Sequence, residues 1–335
     1  MEEVKCLGIE STAHTFSSSV VSLRNLTEGK ILSNVKAVYN PPRGSGIHPS
    51  EASRHHTKVA SDIILSSLKE AKLIIKDLDV IAYSAGPGLG PCLRVGATIA
   101  RVLSSYYNIP LVPVNHAIGH IELGCFLTKL IEPVVLLISG GHTLITTYKD
   151  KRWRIFGETL DLTIGQLVDQ LGRELGYSSP AGPIIEKLAS NSKNYLLMPY
   201  TIKGNDVSFS GLLTYAKKLL SKGYKVEDIC YSVQETAFAM LCETFERAIA
   251  FCEKEEAMVV GGVAANKRLA FMLNSLADRY GVNLKVVPFE YSGDCGAQIA
   301  VVGALAFKAG FSVSVEKSLV KRSWRIDQVD IYWRS

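Results

Sequence analysis

Apolar and polar positions alternate, or apolar residues run together, over residues 4–10, 16–23 and 31–38, between turn-like breaks. Such spacing fits half-buried or buried strands, so these segments predict a three-stranded meander. Pro41-Pro42-Arg43-Gly44-Ser45-Gly46 then reads as a loop. From Ser50-Glu51 the period changes: Val59, Ile63, Ile64 and Leu68 predict a helix to about Ala71. Asp79–Ser84 predicts a short apolar strand. Gly86-Pro87-Gly88-Leu89-Gly90-Pro91 predicts a tight turn into a helix ending near Tyr107. A strand at Leu111–Val114 and a helix carrying two histidines complete this cycle.

A second cycle starts near Pro133. Val134–Ile138 predicts a buried strand, and Ser139-Gly140-Gly141 its turn. His142–Thr147 and Arg152–Phe156 predict further strands, with helices at about 162–175, 183–190, 211–221 and 227–254. Met258–Val260 is a strand entering Gly261-Gly262, before a helix at 265–279. Asn283–Val287 is a strand and 295–309 a helix. Strands come first and alternating units follow, twice, which predicts two α/β domains facing across a cleft. The pattern divides the chain into residues 1–130, 131–310 and a basic, aromatic tail, 311–335.

Composition narrows the classes. The 335 residues are 47% hydrophobic and 21% charged, as in a globular protein, which excludes disorder as the main state. Lys and Arg exceed Asp and Glu by 37 to 32, a surplus too small to hold a large RNA alone. The seven cysteines form no CxxC, so a zinc ribbon or thioredoxin motif is unsupported. The acidic start and the lack of a long apolar run predict a cytoplasmic protein without a membrane span. All seven histidines lie in the first 142 residues, so the first half would supply any imidazoles.

Those imidazoles lead to the candidate chemistry. His116 and His120 are four apart and share a helix face, where they can bind one divalent ion or simply be structural. Ala117 stands where a zincin protease carries its general-base Glu, which disfavours that activity. Asp294, before the last helix, can cap it or complete a His/His/Asp metal site. Ser139-Gly140-Gly141-His142-Thr143 and Gly261-Gly262-Val263-Ala264-Ala265-Asn266 follow strands. Each can cradle an anion or serve as a plain packing turn. Asp161, Asp169 and Glu186 flank Gly182-Pro183 and can hold ribose hydroxyls or face solvent. His55-His56 reads as helix surface. Gly86-x-Gly88-x-Gly90 is not a dinucleotide loop, because the next strand ends without an acid. The tail reads as packed on the core, with contact to RNA phosphates and bases as the alternative.

Taken in order, these motifs resemble a known family. They are Gly8-Ile9-Glu10-Ser11-Thr12-Ala13-His14-Thr15, Gly86-Pro87-Gly88-Leu89-Gly90, Asn115-His116-Ala117-Ile118-Gly119-His120, Ser139-Gly140-Gly141-His142-Thr143, Val207-Ser208-Phe209-Ser210-Gly211-Leu212, Gly261-Gly262-Val263-Ala264-Ala265-Asn266 and Gly293-Asp294-Cys295-Gly296. The series resembles the universal tRNA threonylcarbamoyladenosine transferase family, formerly called O-sialoglycoprotein endopeptidases, over about residues 4–310. The stretches His116–Gly124 and Ser208–Leu213 are similar to its archaeal and eukaryotic branch, the catalytic subunit of the KEOPS complex.

The resemblance implies an actin/Hsp70/sugar-kinase-like (ASKHA) fold, with two RNase H-like domains around a nucleotide cleft. It implies transfer of threonylcarbamoyl from threonylcarbamoyl-AMP to N6 of the adenosine beside the tRNA anticodon, with AMP released. It implies one divalent metal, Fe2+ or Zn2+, on His116, His120 and Asp294. It implies a nucleotide site, for threonylcarbamoyl-AMP and also ATP or AMP. That site would be formed by Leu137, Ile138, Ser139, Gly140, Gly141, Asp169, Gly182, Glu186 and Asn266. Its implied partners are tRNA, a small atypical kinase and a dimerising subunit. Glu10 and His14, on the first turn, are candidates to accept the N6 proton. The family often has Tyr two residues before Ser-Gly-Gly, Asn after Gly-Gly and Asn after the metal-binding Asp. This chain has Leu137, His142 and Cys295 there. The alternatives are a sugar-kinase-like phosphotransferase and a non-enzymatic nucleotide-binding regulatory subunit.

Overall fold

The protein is described by a computed structural model covering residues 3–42 and 44–334. Met1, Glu2 and Arg43, part of the expected acidic start and of the expected loop, lie outside the described residues.

The first lobe runs β1 (Val4–Glu10), β2 (Thr15–Leu23), β3 (Gly29–Val38), α1 (Pro49–Ala71), β4 (Val80–Gly86), α2 (Gly90–Tyr107), β5 (Leu111–Asn115) and α3 (His116–Thr128). Its sheet has the order β3-β2-β1-β4-β5. The first three strands are antiparallel, and β4 and β5 add in parallel, as connections through helices require.

The second lobe repeats the plan with β6 (Val134–Ile138), β7 (Thr143–Lys149), β8 (Arg152–Glu158), α4 (Ile164–Glu174) and α5 (Gly182–Ser190). A two-stranded ribbon, β9 (Ile202–Lys203) and β10 (Asp206–Val207), precedes α6 (Ser210–Ser221) and α7 (Val226–Cys252). Then come β11 (Glu256–Val260), α8 (Lys267–Tyr280), β12 (Asn283–Val286), α9 (Phe289–Ser292) and α10 (Gly296–Lys308). The sheet order β12-β11-β6-β7-β8 is the first sheet's order met again. This duplicated α/β design is the ASKHA fold. The ribbon and α9 escaped the sequence pattern because they are too short to show a period.

Three hydrophobic clusters build the layers. One packs α1 and α2 on the outer face of the first sheet. Another packs α4 to α8 on the outer face of the second. The third lies between the lobes and joins inner faces of both sheets to α3 and α10. Both of these helices are apolar around most of their circumference, as expected for elements covered on every side. By chain position α10 follows the second lobe, yet it packs on β1, β2 and β4 and on α3. It therefore carries the end of the second half back into the first.

Strand β2 shows how polar residues survive inside this stack. It is buried along its whole length because α1 covers one face and α10 the other. Its serines find partners: Ser17 Oγ donates to Val35 O (2.7 Å), Ser19 Oγ to Asn34 Oδ1 (2.6 Å), and Ser18 pairs with Ser67 (2.8 Å). An unsatisfied hydroxyl there would cost about 1–3 kcal/mol. Among the described residues, no helix is long and apolar enough to cross a membrane.

The tail is packed, as its aromatic content suggested. It crosses from the first lobe, where Lys321 N donates to Ala85 O (2.7 Å), to the second, where Ile331 N donates to Lys151 O (2.9 Å).

Candidate functional site

Helix α3 starts at the C-terminal end of β5, at the inner edge of the first sheet. Asn115 caps it, accepting from Ala117 N (3.0 Å) and Ile118 N (3.2 Å). The next residue is His116, and one helical turn later comes His120. Their rings meet edge to face, 4.8 Å apart. Asp294 reaches them from the loop between α9 and α10. Its Oδ1 lies 3.3 Å from His120 Nε2 and 3.5 Å from His116 Nε2. The three donor atoms lie within 4.8 Å of one another.

The surroundings orient this cluster. Glu10, at the end of β1, is fully buried. His116 Nδ1 donates to Glu10 Oε2 at 2.9 Å, which leaves Nε2 facing Asp294. Thr12 N donates to the other Glu10 oxygen (2.6 Å), and Gln298 Nε2 from α10 approaches Oε2 at 3.4 Å. A carboxylate behind a ligating imidazole is the usual arrangement for fixing its tautomer. His142, from the β6–β7 turn, stacks on His116 at 6.1 Å, and its buried Nδ1 has no protein partner.

Electrostatics follow from this crowding. Burial opposes charge on His116, but Glu10 and then Asp294 outweigh it and raise its pKa to about 9. Burial opposes charge on Asp294 as well, yet the two imidazoles hold its carboxyl far below the ordinary range. His142 is pushed down to about 3 by burial and by His116 and His120. Two buried imidazole nitrogens and a partly buried carboxylate oxygen converge and fit a divalent cation.

On the second lobe, two turns stand side by side at the ends of the paired strands β6 and β11. In the first, Ser139 Oγ accepts from Gly141 N (3.2 Å) and His142 N (3.0 Å). Thr163, the cap of α4, donates to Gly140 O at 2.9 Å and pins the turn. In the second, Gly261 takes φ +101°, and its Cα lies so close to Ile138 that a Cβ would meet the carbonyl at 2.3 Å. Asn266 then caps α8 through Arg268 N (2.9 Å) and Leu269 N (3.1 Å).

A profile of the TsaD family, tRNA N6-adenosine threonylcarbamoyltransferase, matches residues 30–301. Curated relatives bear the same name. That of Caldivirga maquilingensis is 47% identical over 327 residues, covering 98% of this chain and 97% of its own. That of Sulfurisphaera tokodaii is 49% identical over 332 residues, covering 98% of each chain. The chain belongs to this family, and the family is one of enzymes. Solved structures agree on fold alone. HypF of T. kodakarensis superposes with a TM-score of 0.65 at 14% identity, over 95% of this chain and 49% of its own. Component A of the Acidaminococcus fermentans (R)-2-hydroxyglutaryl-CoA dehydratase gives 0.53 at 14% identity, over 90% and 98%.

Within that family frame, each expected residue can be placed. His116, His120 and Asp294 meet; the i, i+4 spacing placed the two imidazoles on one face, and the resemblance alone chose ligand over helix cap for Asp294. Ser139, Gly140 and Gly141 form a turn with nothing within 4 Å of a Cβ on either glycine. Leu137 and Ile138 are fully buried in the core, so their side chains are closed to a nucleotide and only the turn after them is presented. Asp169 Oδ1 accepts from Ala181 N (2.7 Å) and sets the start of α5 at Gly182, which faces open space. Glu186 accepts from Lys267 N (2.8 Å), linking α5 to α8 beside Asn266. Asp161 is instead a structural clamp, accepting from Ser208 Oγ (2.6 Å), Phe209 N (2.8 Å) and Leu162 N (2.6 Å). Glu10 sits behind His116, engaged on both oxygens, where an incoming base would not reach it. His56, expected on a helix surface, is wholly buried. Sequence reasoning missed Thr12 and Gln298, whose types carry no signal of their role.

Proposed function

We propose that the chain transfers threonylcarbamoyl from threonylcarbamoyl-AMP to N6 of adenosine 37 in tRNAs reading ANN codons, releasing AMP. It would act in the cytoplasm as the catalytic subunit of a KEOPS-type complex, beside a small atypical kinase and a dimerising subunit. The observation that carries this reading is the His116–His120–Asp294 cluster, built from both halves of the chain, together with the open glycines Gly140, Gly141 and Gly262 of the second lobe.

The donor is a mixed anhydride and already activated. N6 attacks the carbamoyl carbon, the new C–N bond forms, and the bond to the phosphate oxygen breaks with its electron pair leaving on AMP. No covalent nucleophile is needed, so alignment and charge stabilisation dominate. The Ser139–Gly141 turn receives the phosphate. Asp169, Gly182, Glu186 and Asn266 lie along the adenosine and ribose. Fe2+ or Zn2+ bound by His116, His120 and Asp294 would supply a Lewis-acidic position for a substrate oxygen. Glu10 keeps His116 in the tautomer that presents Nε2. His14, only half-buried on the turn between β1 and β2, is left to take the N6 proton. The small charge surplus assigns much of the RNA affinity to partner subunits.

The test is reconstitution. Protein, partner subunits, threonylcarbamoyl-AMP and substrate tRNA should together yield the modified adenosine and AMP. Absence of product with folded partners would overturn the reading.

A further inference from the structure

The tail between residues 311 and 334 touches α3 at its start and at its middle, and both candidate metal imidazoles lie between the two contacts. At the start, Asn115 caps α3 through its Oδ1, while its Nδ2 donates to Trp324 O at 2.9 Å. The tail backbone thus fixes which way the capping amide points. Two residues beyond His120, Glu122 is fully buried. It accepts from Arg334 Nε (3.0 Å) and Nη2 (2.9 Å), from Trp333 Nε1 (3.2 Å), and from Trp153 Nε1 on β8 (2.8 Å). The Arg334 guanidinium also lies 5.1 Å from the centre of the Trp153 ring.

We propose that this segment is a positioning clamp, with Glu122 and Arg334 as its lock, that holds α3 and its two imidazoles in register with Asp294. The inference rests on the metal reading given above. A buried carboxylate needs its cation, so the place of Glu122 is tied to the place of Arg334. The tail in turn is anchored to both lobes. Lys321 N donates to Ala85 O in the first (2.7 Å), and Arg325 pairs with Glu158 in the second (2.9 Å). Asp294 arrives from the other side, at the start of α10, which packs on α3. Ligand geometry within the cluster therefore depends on how far α3 can slide or tilt between α10 and the tail. Glu122 and Arg334 act through α3 and are positioning residues, not catalytic ones.

The experiment follows amide exchange of α3 in metal-free protein and, separately, Co2+ binding by absorbance. The variants are Arg334→Met, the double variant Arg334→Met with Glu122→Gln, and Lys317→Ala, at an exposed tail position outside these contacts. Exchange over 116–128 should quicken on the order of tenfold in both Arg334 variants, with the sheets unchanged. Co2+ should bind them roughly 10–100-fold more weakly. Lys317→Ala should alter neither. If Arg334→Met leaves Glu122 uncompensated and fails to fold, the double variant, with neither charge, still gives the readout. Folded variants with wild-type exchange in α3 and wild-type Co2+ affinity overturn the clamp. Faster exchange in α3 of the Arg334 variants, together with a Co2+ affinity that His116→Ala leaves unchanged, upholds the clamp and overturns the metal reading.

Discussion

The two lobes share one strand order and use their equivalent turns in opposite ways. In the first lobe the turn after β1 is filled by protein: Glu10, Ser11 and Thr12 are buried there. The turn after β4 is filled as well, because a Cβ on Gly86 would meet Lys321 O at 1.8 Å and one on Gly88 would meet Thr12 O at 2.7 Å. In the second lobe the matching turns are open at their tips, with nothing within 4 Å of a Cβ on Gly140, Gly141 or Gly262, although Gly261 at the base of the second is packed on Ile138. A duplicated fold offers two sets of strand-end turns. Here one set backs the helix that carries His116 and His120, and the tips of the other are left uncovered by protein.

The largest expected effect tests whether the lobes truly share one centre. Asp294→Ala removes the carboxylate that faces both imidazoles at 3.3 and 3.5 Å. Losing a second-shell partner costs about 10–100-fold in metal affinity, so losing this ligand should cost about 100-fold or more, with transfer activity falling alongside. Metal analysis after dialysis and single-turnover transfer would show it. Full metal content in the folded variant would mean that the second half contributes no ligand.

Next come two glycines at opposite extremes. Gly86 has φ +145° and no room, so Gly86→Ala should cost about 3 kcal/mol of stability through clash and backbone strain. Gly140→Ala adds its methyl to open space and should stay within about 0.5 kcal/mol of the parent. Binding of AMP should fall only in the second variant. Denaturant titration and calorimetry on both would separate a supporting turn from a binding one, and equal losses of stability would erase the distinction.

Much of this contrast was legible along the chain, and the reasons are physical. Periods of two and of 3.6 revealed the duplicated order, because both lobes bury one face of their elements. The spacing of His116 and His120 was readable because i and i+4 share a helix face. The filling of the first lobe's turns was not readable. It comes from Lys321 and from the return of α10, and contacts across hundreds of residues leave no local period. Glu122 and Arg334 are the extreme case, 212 positions apart. Leu137 and Ile138, which only the resemblance adds to the nucleotide site, turn one side chain into each core layer by strand alternation.

A smaller effect concerns support for the imidazole. Glu10→Gln keeps the shape behind His116 but withdraws the charge that does most to offset its burial. Metal affinity should fall about tenfold while the melting temperature changes little, as for other outer-shell partners. An unchanged affinity would place Glu10 in packing alone, and the first lobe's turn would lose its assigned purpose.

The smallest effect separates the outer layer of the first lobe from the centre. His56 on α1 is fully buried, and burial, then His55, lower its pKa from 6.5 to about 4. The fold therefore holds this imidazole neutral. Above pH 6.5 both states are unprotonated there and its contribution to stability is intact. As pH falls from 6.5 towards 4 the unfolded chain takes a proton that the folded one refuses, so stability declines. The slope from one such group is at most about 1.4 kcal/mol per pH unit. His56→Phe should flatten the denaturation midpoint against pH in that window while leaving metal binding unchanged. If the slope persists in the variant, the acid sensitivity belongs to other groups, and the first lobe's buried imidazole is not what makes this half of the molecule sensitive to acid.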